Sequence, residues 1–254
     1  MLLEELCIEV GARATDDIRK LILPGALVRP DYKHRDFAIL LVTGFSGYWQ
    51  DYIQHFAQHI GTRVPIYTTQ LRARGRTMGK LIVDDLQQID AHIRNRLETN
   101  NILYICHSMG AAMGAAAAQE HHKHILGFLG IAAYPSYGDC FNTNPDIRHT
   151  SLLQSVVDLV CRPSLGPFSY PLKKSEVPRP AHFVIADKDE IAYTTFPGVR
   201  RRFEQYFSTI GSVTVLPGNH CFNDRLFKLR PFNVDHPELL LSESYRFING
   251  VLHT

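Results

Sequence analysis

The stretch Asn101-Ile-Leu-Tyr-Ile-Cys106-His107-Ser108-Met109-Gly110 runs straight into Ala111-Ala112-Met113-Gly114 and four further alanines. No other part of the chain constrains the fold as much. An apolar run of strand length meets a serine and then becomes a helix of small residues. This is the sequence form of a nucleophile elbow, in which a sharp strand-to-helix turn lifts a serine hydroxyl above a sheet and aims the first N–H groups of the helix at the same point. The backbone at such a serine is strained, so Cys106 and Gly110, two residues to either side, are expected to crowd each other and must be small. Cys106 departs from the Gly-x-Ser-x-Gly pattern at its first glycine. The plainer reading of Ser108 is a helix N-cap.

The flanking chain alternates strand and helix. Asp36 to Thr43 reads as a buried parallel strand that ends at Gly44-Phe45-Ser46-Gly47 and is followed by a helix-period stretch from Trp49 to Ile60. Arg63 to Thr69 is the next strand, and Leu81 to Leu97 has the apolar spacing of an amphipathic helix. Further strands are expected at His124 to Ala133, Ala181 to Ala186 and Ser212 to Leu216, with helices at Val199 to Thr209 and Pro237 to Leu252. Residues 1–36 support only a short strand or helix at the sheet edge. Seven of the 14 prolines fall between Pro135 and Pro180, which marks residues 135–180 as an insertion over the sheet. The expected fold class is α/β: a doubly wound, mostly parallel sheet built from residues 1–134 and 181–254.

Ligands of such sheets sit outside the carboxyl ends of the strands. Ser108 falls there, and so do Asp187-Lys188-Asp189-Glu190 and Pro217-Gly218-Asn219-His220. Serine is a poor nucleophile unless a histidine takes its proton and a carboxylate holds that imidazole in the right tautomer. The order Ser, Asp, His along the chain is the one that an elbow-bearing α/β sheet imposes.

With those residues in view, the chain from about Phe37 to the C-terminus resembles the α/β-hydrolase family, in particular its lipase, esterase and monoacylglycerol-lipase-like branch. His107-Ser108-Met109-Gly110 is a frequent form of that branch's elbow. The resemblance implies Ser108 as nucleophile, His220 as base and Asp189 as acid, with Asp187 the alternative acid. It also implies an oxyanion hole of the Met109 and Phe45 N–H groups, although Thr43-Gly44 stands where the branch has a His-Gly pair. Arg72-Ala-Arg-Gly-Arg-Thr77 resembles a loop that is structural in the branch. The expected activity is cofactor-free and metal-free serine hydrolysis of a small-molecule carboxylic ester with a lipid-like or other apolar acyl group. Residues 135–180 then become a helical cap, with Tyr134, Tyr137, Phe141, Leu152, Leu153, Val156 and Phe168 lining an acyl pocket or forming the cap's own core.

Composition narrows the alternatives. A net charge of +2 with no basic block beyond Arg200-Arg201-Arg202 leaves no footprint for nucleic acid. Glu4 and Glu5 stand where a secretion signal has bases, and no apolar run approaches the ~20 residues of a membrane span. Five widely spaced cysteines suit free thiols in a reducing compartment, so a cytoplasmic protein without an integral membrane segment is expected. His55 and His59 have the spacing of a metal pair, but Phe56 stands where a zinc protease needs its glutamate. The rival enzyme is an NAD(P)-dependent short-chain dehydrogenase, suggested by Leu41-Val-Thr-Gly44-Phe-Ser-Gly47 and by Tyr170 with Lys174. Against it, Tyr48, Trp49 and Gln50 are bulky where a pyrophosphate must approach, and Pro167 and Pro171 interrupt the helix that Tyr170 and Lys174 would share. A catalytically silent hydrolase-like binding protein is the third class.

Overall fold

Every residue of the strand Ala38–Val42 is buried, and its side chains alternate between two cores. Ala38, Leu40 and Val42 pack with Leu86, Ile89, Ile93 and Phe207 on one side. Ile39 and Leu41 pack with Tyr52, Phe56, Ile60 and Leu240 on the other. A strand that is apolar on both faces is stable only between two helical layers, which is the physical content of a doubly wound sheet.

The computed structural model describes residues 1–11, 21–32, 36–44, 49–71, 78–119, 122–133, 177–190, 194–220, 222 and 237–253. Its strands are β1 (Leu2–Glu5), β2 (Ile8–Val10), β3 (Leu21–Leu23), β4 (Gly25–Arg29), β5 (Ala38–Val42), β6 (Ile66–Thr69), β7 (Ile102–His107), β8 (Ile125–Ile131), β9 (Ala181–Ala186) and β10 (Ser212–Leu216). Eight of them form one sheet in the order β1-β4-β6-β5-β7-β8-β9-β10. From β6 to β10 the neighbours are parallel, whereas β4 is antiparallel to β6 and β1 to β4. The edge expected from residues 1–36 is thus two antiparallel strands. The β2–β3 pair stands apart and docks on a helix, where the Gln88 side chain bonds both the N–H and the C=O of Gly11.

Helix α1 (Trp49–Tyr52) passes through a π turn (Ile53–Ala57) into α2 (Gln58–Ile60), so the stretch expected as one helix is three short pieces. The others are α3 (Met78–Leu97), α4 (Met109–Gln119), α5 (Pro197–Ser208) and α6 (Pro237–Leu252). Asp90 of α3 is wholly buried yet satisfied, accepting from the Tyr104 hydroxyl at 2.9 Å and from Arg94 Nε at 2.5 Å. That cluster ties α3 to β7. Arg201 and Arg202 are exposed on α5, as a solvated face requires. No helix among the described residues is long and apolar enough to cross a membrane.

Candidate active site

β7 delivers Ser108 into a left-handed backbone conformation, with φ of 56°. This region costs an L residue on the order of 1–3 kcal/mol and persists only where the surroundings impose it. Here the Ser108 N–H donates to Ile131 O at 2.9 Å, and its C=O accepts from Ala111 at 3.0 Å as α4 begins. A positive φ differs from the extended backbone typical of a helix N-cap. A Cβ on Gly110 would collide with the carbonyl oxygens of Thr43 and Val42. Gly110 is required because α4 starts against the backbone end of β5. The thiol of Cys106 occupies the space that a Cβ on Gly114 would need. Burial pushes that thiol well above its ordinary pKa and keeps it protonated.

His220 follows β10, and each of its polar groups is held. Its Nδ1 lies 2.7 Å from Asp189 Oδ2 and its Nε2 lies 2.8 Å from Ser108 Oγ. Its main-chain N–H donates to Glu190 at 3.2 Å, and its carbonyl lies 3.0 Å from His107 Nε2. Asp189, 1% exposed, is fixed in turn by Thr194, whose hydroxyl accepts the Asp189 N–H at 2.9 Å. Asp187, the alternative acid, accepts the Gly218 N–H at 2.9 Å and so shapes the turn that carries His220. The carboxylate at the imidazole is Asp189.

Two residues that the sequence reading passed over complete the surroundings. The Tyr52 hydroxyl, buried, lies 2.8 Å from His107 Nδ1 and accepts the Gly44 N–H at 2.9 Å. A Cβ on Gly44 would sit 3.1 Å from both His107 Nδ1 and Ser108 Cβ, so a side chain there would press on the histidine and the serine. An apolar periodicity count treats Tyr52 as core, and His107 was read only as part of a spelling. A histidine beside the serine, at the end of an apolar run, was the available signal.

Electrostatics separate the two histidines. Burial lowers the pKa of His107 to about 3, with the neighbouring His220 charge adding to the effect and the hydrogen bond to His220 opposing it. Burial also pulls His220 down, but the charge and hydrogen bond of Asp189, with the charge of Glu190, outweigh it and leave His220 above its ordinary 6.5. An imidazole held between a serine hydroxyl and a carboxylate can take the hydroxyl proton at Nε2 while its Nδ1–H stays on the carboxylate.

Met109, one expected oxyanion donor, opens α4, where the first N–H groups have no partner within the helix. Phe45, the other, lies outside the described residues, and so do Tyr134, Tyr137, Phe141, Leu152, Leu153, Val156 and Phe168, with the expected cap apart from residues 177–180. A second serine–histidine–carboxylate contact occurs at the opposite ends of the strands: His182 Nδ1 is 2.7 Å from Ser212 Oγ, and its Nε2 is 2.7 Å from Glu243. It lacks an elbow and a helix N-terminus, so the three side-chain types alone do not make a site. Among the described residues no cluster of His, Cys, Asp or Glu is arranged to hold a metal ion.

No protein-family model and no curated protein sequence matches the chain. Solved structures do match. Est1E from Butyrivibrio proteoclasticus is similar with a TM-score of 0.62 at 13% identity, over 98% of this chain and 99% of its own. A highly thermostable carboxyl esterase from Bacillus coagulans is similar with a TM-score of 0.64 at 14% identity, over 99% of both chains. The protein has the α/β-hydrolase fold. A lid-free α/β serine hydrolase from Xanthomonas campestris shares this fold with a TM-score of 0.59 at 15% identity, over 96% of this chain and 95% of its own. The Gly44 N–H, which a dehydrogenase would aim at a pyrophosphate, is bonded to the Tyr52 hydroxyl. Tyr170 and Lys174 lie outside the described residues.

Proposed function

We propose that this protein is a serine hydrolase that cleaves a carboxylic ester through an acyl-enzyme on Ser108. The observation that carries the reading is the unbroken line from Ser108 Oγ through the His220 ring to Asp189, at 2.8 and 2.7 Å, built on a serine with positive φ. That the neighbours are esterases adds support for an ester as the substrate class.

His220 Nε2 takes the Ser108 proton as Oγ attacks the acyl carbonyl. Asp189 keeps the Nδ1–H and stabilises the imidazolium that forms. The tetrahedral oxyanion meets the N–H groups of Met109 and Phe45, each worth roughly 3–4 kcal/mol to the transition state. Collapse returns the proton from Nε2 to the leaving alcohol. Water then attacks the acyl-enzyme with His220 again as base, releasing the acid and restoring Ser108. Residues 135–180 act as the cap, and the apolar side chains named there favour lipid-like or other apolar acyl groups.

A fluorophosphonate probe tests the nucleophile. The wild type is expected to be labelled at Ser108 and to hydrolyse p-nitrophenyl esters, and a folded Ser108→Ala variant is expected to do neither. Labelling or turnover that survives the substitution overturns the reading. Rates over a series of acyl chain lengths then fix the acyl preference.

A further inference from the structure

With His107 neutral, the relay from Gly44 to His220 has one consistent assignment of hydrogens. The His220 carbonyl can only accept, so His107 Nε2, 3.0 Å away, carries the proton and donates. With the ring neutral, His107 Nδ1 must accept, so the Tyr52 O–H, at 2.8 Å, donates to it. The Tyr52 oxygen then accepts the Gly44 N–H at 2.9 Å. Every link points the same way, from the end of β5 through α1 to the main chain of His220. Tyr52 and His107 are 1% and 3% exposed, which shields the relay from competing water.

We propose that Tyr52 and His107 are positioning residues, and that their relay locks the β5 end preceding Phe45 to the main chain of the base His220, setting both against Ser108. The proposal rests on the serine-hydrolase reading above. Gly44 leads directly into Phe45, whose N–H is proposed to receive the oxyanion, while the other end of the relay pins the residue that moves the proton. His107 is also adjacent to Ser108 in sequence, and its ring lies 5.1 Å from that of His220, centroid to centroid. One hydrogen-bonded line thus joins donor loop, nucleophile strand and base loop. Neutrality sets its direction: a cationic His107 would carry an N–H at Nδ1 as well, and the Tyr52 hydroxyl would have to turn from donor to acceptor there.

The test uses Tyr52→Phe, His107→Leu and His107→Gln in the full chain. Glutamine keeps a donor for the His220 carbonyl and an acceptor for Tyr52, whereas leucine keeps neither. Tyr52→Phe and His107→Leu are expected to lower kcat by about 10- to 100-fold, the scale of a small misplacement of reacting groups. KM should stay within about threefold, because ground-state contacts are untouched. His107→Gln should lose less than His107→Leu. A purely structural role would lower the melting temperature and leave kcat of the folded protein unchanged, so a folded Tyr52→Phe with wild-type kcat overturns the proposal. Should His107→Leu fail to fold, Tyr52→Phe carries the comparison. Nitrogen-15 NMR of the imidazoles reads the relay without turnover: His107 is expected as a neutral Nε2–H tautomer between about pH 5 and 8. A cationic ring or an Nδ1–H tautomer overturns the proposal even in a protein without esterase activity, whereas inactivity of the wild type alone overturns only the serine-hydrolase reading.

Discussion

Cys106 and Gly114 are complementary halves of one packing contact: the thiol on β7 fills the volume that an alanine methyl on α4 would need. Glycine in mid-helix costs about 1 kcal/mol relative to alanine, so its presence at 114 has to be explained by what it admits. What it admits is the cysteine that replaces the elbow's usual first glycine.

A double-mutant cycle checks this. Gly114→Ala alone is expected to destabilise by about 1–3 kcal/mol through overpacking against Cys106. Adding Cys106→Gly should remove that clash and let the better helix former show, giving a coupling of about 1–3 kcal/mol between the two sites. Additive effects in urea unfolding would show that the two residues do not share the space.

Asp189 and Asp187 are two residues apart, but only Asp189 meets the imidazole. Asp189→Asn is expected to lower kcat by about 10⁴-fold, because an amide favours the wrong tautomer of His220. It should also move the acid limb of kcat/KM to lower pH, since the charge that raises His220 is gone. Asp187→Asn should retain far more activity, with its effect confined to the Gly218 turn. Equal losses in the two variants would contradict the assignment.

His107 predicts acid lability. Its native pKa of about 3 lies below its unfolded value of 6.5, so between those pH values the unfolded chain binds one more proton there than the native protein. Stability therefore rises with pH across that window and is lost as pH falls, at about 1.4 kcal/mol per pH unit for one fully linked proton. His182, also lowered by burial, contributes with the same sign. His220 is raised and acts oppositely, holding stability below its unfolded value and losing it as pH rises through its native one. Urea unfolding at a series of pH values should show a shallower acid slope in His107→Gln, and an unchanged slope would count against a neutral buried His107.

Much of the fold was legible because burial on both faces leaves a crude signature. The runs that became β5, β7, β8 and β9 are nearly continuous apolar segments, and α3 carries its apolar stripe in plain view. The edge was harder. β1 is largely exposed at the end of the sheet, so it lacks the pattern of a central strand, and β4 is a short buried run set close behind β3. The broken helix at Trp49–Ile60 was hidden for a related reason, because a π turn shifts the hydrogen-bond register without altering which residues are apolar.

Local chemistry was sufficient to place Ser108 on a strand-to-helix turn, and to place Asp189 and His220 beyond the ends of later strands, because apolar periodicity and chain order are properties of short segments. Which carboxylate meets the imidazole, why Gly110 and Gly114 must be glycine, and how Tyr52 and His107 join Gly44 to His220 depended on tertiary structure. Those facts are distances between residues far apart in the chain. Such distances arise only when the parallel strands pair in register and bring their carboxyl ends to one rim.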